Sequence, residues 1–253
     1  PAYLAAKKLG IPYVVHEANA LPGLANRLGA GIAKKIAVAF ASTNLKGAEF
    51  VGMPLRKEIE QAALRGDKVA ARKHFGLDAN TLTLLVTGGS LGAKRINDVI
   101  EESRDLLSAA GVQVLHIVGG KSELEPVKTK GYVRLAYCDR MDLAIVAADF
   151  AVSRAGASTV SEFTAIGLPA LFLPYAVGNG EQSKNITDVL AAGGAITLAD
   201  TEFSRNYVAS HLVPLLSSAK KVSDMANAAK SVGVSDGTAR LLEMVKGVLT
   251  AAK

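Results

Sequence analysis

Tryptophan is absent from this 253-residue chain, and aromatic residues make up only 5% of it. The few rings are not interleaved with basic residues in a recognition motif, so nothing points to nucleic-acid binding. Cys138 is the sole cysteine, which rules out an intrachain disulfide and fits a reducing compartment, the cytoplasm by default. No apolar run reaches the ~18 residues of a membrane-spanning helix. The chain opens on Pro1 rather than Met, without a signal-peptide pattern, as a segment of a longer protein would. It contains no Asp-x-Asp and no His/Cys cluster at metal-ligand spacing, so neither a metal nor another cofactor is expected. Gly-x-x-x-x-Gly-Lys-Ser/Thr is missing too, which excludes a Walker-type NTPase.

Apolar residues are plentiful. At 49% they support a sizeable buried core in one large or two modest domains. The net charge of +6 is uneven: Lys7, Lys8, Arg27, Lys34, Lys35 and Lys46 face only Glu17 and Glu49 in the first 50 residues. A basic face of this kind suits anionic lipid or a phosphorylated substrate, although a merely solvated surface has the same composition.

Apolar runs at 13–15, 36–40, 82–86, 112–118, 133–136, 150–153, 170–173 and 195–198 read as buried parallel strands. Helical spacing separates them at 94–109, 139–147, 158–166 and 182–191, and continues at 205–230 and 236–253. This alternation predicts an α/β doubly wound architecture with ligands beyond the carboxyl ends of the strands. A boundary is expected near Gly52-Met53-Pro54, after the strand-like Glu49-Phe50-Val51. Residues 1–52 then read as the tail of one Rossmann-like domain, 53–235 as a complete second one, and 236–253 as a helix crossing back to the first.

Two junctions carry the chemistry. Residues 154–162, Arg-Ala-Gly-Ala-Ser-Thr-Val-Ser-Glu, join a strand to a helix through small residues, leaving helix N-H groups and the dipole to face an anion. Glu162 sits one turn beyond Ser158, placed either to close a capping box or to accept sugar hydroxyls. The earlier junction, Gly88-Gly89-Ser90-Leu91-Gly92, follows a strand and lets backbone N-H groups approach a phosphate. Alone it could be a tight turn, but its partner argues for a nucleotide-type ligand. The dinucleotide fingerprint fails, because the turn is Gly-Gly-Ser-x-Gly and the next strand ends in Val118-Gly119-Gly120-Lys121 without an acidic residue.

Further candidates lie around these turns. The stretch Gly178-Asn179-Gly180-Glu181-Gln182-Ser183-Lys184-Asn185 opens another helix, where Gln182 and Asn185 could read sugar hydroxyls or simply cap and solvate. Arg56 is a second cation for a diphosphate or a surface charge. His16-Glu17-Ala18-Asn19 follows a strand, which makes His16 a site candidate, whereas His116 lies inside an apolar run and reads as a core histidine.

Together these residues resemble the MurG-type glycosyltransferase family of peptidoglycan synthesis. The resemblance runs through His16 to Asn19, Pro22-Gly23-Leu24-Ala25-Asn26, Val51 to Arg56, Gly88 to Ala93, Arg154 to Glu162, Gly167 to Ala170 and Glu181-Gln182. It departs at Ala18, where the family often has Gln, and at Glu181, where it often has Gln or His. It implies a GT-B architecture, two Rossmann-like domains with parallel sheets facing a cleft, the N-terminal one incomplete in this chain. The implied activity is inverting transfer of N-acetylglucosamine from its UDP donor to undecaprenyl-linked muramyl-pentapeptide, peripherally on the cytoplasmic face of the bacterial cell membrane. Carried over by position, Arg56, Gly89 and Ser90 would meet the diphosphate, and the backbone at Cys138 the uracil. Ala157, Ser158 and Thr159 would line the diphosphate turn, Glu162 would hold the ribose, and Gln182 the transferred sugar. His16, Asn19 and Asn26 fall on the acceptor side. The family's first phosphate loop and proposed general-base histidine align upstream of Pro1, leaving His16 and Glu17 as the candidate bases within the chain. Two alternatives stay open: a nucleotide-sugar-binding segment without turnover, and another UDP-sugar enzyme such as an epimerase.

Overall fold

The computed structural model describes residues 1–175 and 179–250. Gly178 and the end of the expected terminal helix, residues 251–253, lie outside the described residues. Among the described residues, ten strands form two sheets. The first holds β1 (Val14–Glu17), β2 (Lys35–Val38) and β3 (Ala48–Phe50), all parallel. The second holds β4 (Thr83–Thr87), β5 (Gln113–Ile117), β6 (Val127–Thr129), β7 (Tyr132–Leu135), β8 (Phe150–Ser153), β9 (Ala170–Phe172) and β10 (Ala195–Thr197). Its order is β10-β9-β8-β4-β5-β7-β6, parallel throughout except for the β6–β7 hairpin. The expected strands are all present; β4, β5 and β8 are buried along their whole length and are mainly apolar, Gln113 and His116 being the buried polar residues within β5.

The edge strand β6 has no apolar run, since Lys128 lies within it and Pro126 and Lys130 flank it, and only its hairpin pairing with β7 makes it a strand. Three expected helices are broken. Ser103 leaves helical geometry (φ −105°, ψ 6°) and divides 94–109 into Lys94–Glu102 and Arg104–Ala109. Ile186 (φ −94°, ψ 0°) separates Glu181–Asn185 from Thr187–Ala191. Residues 205–230 pass through a π-turn at Val208–Leu212, just before Pro214, whose ring removes one N-H from the helical ladder. Ser218 then caps a new helix, Ala219–Ser231, by accepting from Lys221 N.

The two sheets meet through specific contacts. The Gly237–Thr250 helix packs on β1 and β2, and Thr238 donates to Leu55 O at 3.3 Å. Ser42 N donates to Asp188 Oδ2 at 3.2 Å. In the second sheet His116 is fully buried, as expected of a core histidine, but it belongs to a polar network. Its Nδ1 lies 2.7 Å from Tyr132 Oη and its Nε2 3.1 Å from Asn97 Oδ1. Tyr132 donates to Glu101, and Arg134 pairs with the same carboxylate at 2.8 Å.

Candidate functional site

β4 and β8 lie side by side, with Leu84 opposite Phe150 and Thr87 opposite Ser153. The chain leaves β4 for β5 on one side and returns to β8 on the other, so the crevice beyond these two strands is the topological switch point of the sheet. Both small-residue junctions open there. Sequence adjacency had not shown that they are neighbours; the strand order makes them so.

Beyond β4, Gly89 N donates to Thr87 Oγ1 at 3.3 Å and Gly92 N to Gly89 O at 3.0 Å, folding 88–92 into a compact turn. Gly92 has φ +85°, and a Cβ there would overlap the Val118 carbonyl. The loop after β5 braces the turn through Gly120 N to Ser90 O, 3.0 Å. Gly89 and Ser90 are exposed at its tip.

Beyond β8, Gly156 is the N-cap of the Ala157–Ile166 helix, in extended geometry and without a side-chain cap. The first N-H groups, on Ala157, Ser158 and Thr159, thus have no side-chain acceptor from the cap. Glu162 does not close a capping box. Its carboxylate, 14% exposed, lies 3.2 Å from the Arg56 guanidinium at the start of the Lys57–Arg65 helix. Burial pushes the Glu162 carboxyl above its ordinary value, and the nearby Arg56 only partly offsets this because it is itself half exposed. Arg154, to which the sequence assigned no role, braces the turn by donating to Leu173 O at 3.0 Å and pairing with Asp200 at 2.6 Å.

Gln182 is partly committed. Its Oε1 accepts from Ala155 N at 3.2 Å and Tyr175 N at 2.9 Å, so only its NH₂ remains to donate to a sugar hydroxyl. Asn185 is 1% exposed and bonded at Ala20 N, Asn19 Oδ1 and Ala155 O, which corrects its reading as a sugar-facing or solvated amide. Cys138 follows β7 in the loop 136–140; its thiol is buried and pushed up by that burial.

The stretch after β1 is built differently from the sequence expectation. Glu17 is 3% exposed and accepts from Asn19 N (2.9 Å), Gly23 N (2.9 Å) and Asn26 Nδ2 (3.0 Å). A buried carboxylate engaged by three donors from its own loop and helix ties that segment together and presents no free face to a substrate, so Glu17 is withdrawn as a base. Asn26 also accepts from Tyr3 Oη at 2.7 Å. His16 Nε2 donates to Gly52 O at 3.1 Å, which leaves Nδ1 as its only lone pair. His16 on β1, Asn19 in the loop after it and Asn26 on the Leu24–Ala30 helix therefore belong to one hydrogen-bonded cluster, joined through Asn26 Nδ2 to His16 O at 3.3 Å and through the Glu17 carboxylate.

The model of the glycosyltransferase family 28 C-terminal domain matches residues 83–241, and that of the family's N-terminal domain matches residues 1–38. The chain belongs to glycosyltransferase family 28. It is 52% identical over 249 residues to the UDP-N-acetylglucosamine–N-acetylmuramyl-(pentapeptide) pyrophosphoryl-undecaprenol N-acetylglucosamine transferase of Clavibacter sepedonicus, covering 97% of this chain and 67% of that protein. It is 51% identical to the Leifsonia xyli protein of the same name, covering 100% of this chain and 70% of the relative. The crystal structure of Acinetobacter baumannii MurG superposes with a TM-score of 0.79 at 23% identity, over 98% of this chain and 70% of that one. A UDP-GlcNAc 2-epimerase from Neisseria meningitidis gives 0.64 at 16%, over 97% and 72%. These likenesses establish the two-sheet GT-B fold of this family 28 chain.

Proposed function

We propose that this family 28 chain holds the donor site, and part of the acceptor site, of an inverting transferase. It moves N-acetylglucosamine from UDP-N-acetylglucosamine to undecaprenyl-pyrophosphoryl-N-acetylmuramyl-pentapeptide. One observation carries the reading: two uncapped, glycine-lined strand ends lie side by side at the switch point, with Arg56 and Glu162 at their rim. The residues around 53–235 bind the donor, those around 1–52 face the acceptor, and the terminal helix spans both. Anionic charge growing on the departing diphosphate meets the N-H groups of Ala157, Ser158 and Thr159, the Gly89-Ser90 turn and Arg56. Each well-placed donor is worth on the order of 3 kcal/mol in the transition state. The backbone at Cys138 borders the uracil, Glu162 accepts from the ribose, and Gln182 donates to the transferred sugar. His16 Nδ1, Asn19 and Asn26 stand on the acceptor side.

A membrane surface is the second partner in this reading, at the cytoplasmic face of a bacterial cell membrane. Among the described residues no helix is long and apolar enough to cross a membrane. Exposed Leu4, Leu9, Ile11, Leu24 and Leu28 stand among Lys7, Lys8, Arg27 and Lys34, a mixture that suits the anionic lipid–water boundary.

Calorimetric titration with UDP and UDP-N-acetylglucosamine, followed by radiolabelled transfer to lipid-linked muramyl-pentapeptide, tests the assignment. Donor binding together with transfer supports it, and absence of UDP binding by the folded protein overturns it. Binding without transfer in the complete gene product would instead favour a nucleotide-sugar-binding module.

Glu162→Gln is expected to weaken UDP binding by roughly 1–2 kcal/mol, because a neutral amide is a poorer acceptor than a carboxylate. The stability change has the opposite sign. A carboxyl raised by burial contributes stability below its unfolded value and loses it as pH rises through the folded one, so the amide should melt no lower at pH 7. Wild-type UDP affinity should likewise fall on mild acidification, from a pH above the ordinary glutamate range. Unchanged affinity in the variant would reduce Glu162 to a partner of Arg56.

Arg56→Ala should cost about 1 kcal/mol for UDP and nearly nothing for uridine, since its proposed partner is the diphosphate. Equal losses for both ligands would return Arg56 to the surface-charge reading.

A further inference from the structure

Donor and acceptor chemistry in this fold belongs to two different sheets, so something must set the distance between them. The Asn185 side chain is a buried polar group that touches loops at the ends of both sheets. Its Oδ1 accepts from Ala20 N at 2.9 Å, and its Nδ2 donates to Asn19 Oδ1 and to Ala155 O, each at 3.2 Å. Ala20 and Asn19 belong to the loop after β1, whereas Ala155 is the residue immediately before the Gly156 turn. With 1% exposure, and with both protons and one lone pair of its oxygen engaged, the amide is closed to a ligand in this arrangement.

Gln182, one turn earlier on the same helix, takes the other main-chain atom of the same residue: its Oε1 accepts from Ala155 N. Ala155 is thus gripped at both its N-H and its carbonyl by side chains one helical turn apart, and one of these side chains continues into the first sheet. Ile186, which ends the Glu181–Asn185 helix, is also 1% exposed and anchors that helix in the core. The clamp therefore stands on a fixed element.

We propose that Asn185 is a positioning residue for transfer, which fastens the Glu17–Ala20 loop on the acceptor side to the diphosphate turn on the donor side. The inference rests on the donor reading of the Gly156 turn and adds a role that acts on the reaction without touching the donor. A break in this tie leaves each half-site intact but lets their separation drift. A misplacement of ~1 Å between reacting groups costs about 100-fold in rate.

The test uses the complete gene product and separates binding from turnover. For Asn185→Ala, UDP and UDP-N-acetylglucosamine dissociation constants should stay within about threefold of wild type, while kcat for transfer falls by about 100-fold. A selective loss of UDP-N-acetylglucosamine affinity with UDP unchanged would mean that the amide reads the sugar, and would overturn the proposal. Unchanged kcat in a folded variant would overturn it as well. Failure of wild type to bind UDP is a separate result that sinks the donor reading and this inference with it.

Should the buried substitution prevent folding, Asn19→Ala cuts one of the two bonds between Asn185 and the loop after β1 and leaves the other, from Ala20 N, in place. It should lower kcat and leave both donor dissociation constants unchanged. Where Asn185→Ala does fold, the double variant should lose little more than Asn185→Ala alone, because that substitution already removes the bond made by the Asn19 side chain. Additive losses would show that the two residues act separately and would overturn the proposal.

Discussion

Gly92→Ala is expected to lower stability by about 3 kcal/mol and to weaken UDP binding by roughly 30-fold, about 2 kcal/mol. Two costs combine. The backbone at Gly92 has φ +85°, a left-handed conformation that costs an L-residue ~1–2 kcal/mol, and a Cβ there would overlap the Val118 carbonyl at the end of β5. The neighbour is main chain and has no rotamer to change, so the 88–92 turn or the loop after β5 must shift. Either shift displaces Ser90, whose carbonyl accepts from Gly120 N at 3.0 Å. Gly111→Ala is the control: φ is +70° but nothing lies within 4 Å of the added Cβ, so the cost is only the backbone's, about 1 kcal/mol. It should leave UDP binding alone. Thermal melts and calorimetry on the pair check both halves, and wild-type UDP affinity in Gly92→Ala would remove the turn from the donor site.

Glu101→Leu is expected to destabilise the protein by about 3–5 kcal/mol, a fall of roughly 10 °C in Tm for a chain of this size. Its carboxylate accepts from Tyr132 Oη and pairs with Arg134, while Tyr132 Oη contacts buried His116. Leucine fills the space but leaves the 8%-exposed Arg134 guanidinium without its partner. Loss of one partner from a buried pair costs far more than loss of a surface pair. The hydrogen bonds from the His116 network and Arg134 hold the Glu101 carboxyl far below its ordinary value. A depressed carboxyl contributes stability above its unfolded value and loses it as pH falls through the folded one. The difference between wild type and variant should therefore be full at neutral pH and close only in strong acid. Urea titrations at several pH values measure it, and a gap that does not vary with pH would show that Glu101 is not ionised in the folded protein.

These two sites also differ in how far the sequence revealed them. The Gly88–Gly92 turn was legible because glycine spacing after an apolar strand is a local pattern. The Ala157–Ile166 helix start was legible for the same reason. Glu101 was not, since its partners Tyr132 and Arg134 reach it only when β7 pairs with β5 beside the Lys94–Glu102 helix. His116 was correctly placed in the core from its apolar neighbours, but its polar company was invisible. Glu17 misled most. A carboxylate beside a histidine at a strand end looks chemical, and only the turn from Asn19 to Gly23 wraps the donors around it.

The sequence by itself determined every strand but β6, the alternation with helices, the two small-residue junctions and the family, because each is written in residues close together along the chain. Backbone propensity, apolar periodicity and glycine placement act over a few residues, and so can be read from a string. Tertiary structure alone decided that β8 returns beside β4 and brings the two junctions together, that Arg56 meets Glu162, and that Asn185 bridges two sheets. Those contacts join residues 106 and 165 positions apart, as for Arg56 with Glu162 and Ala20 with Asn185. Their partners are chosen by strand order and burial, which no local pattern encodes.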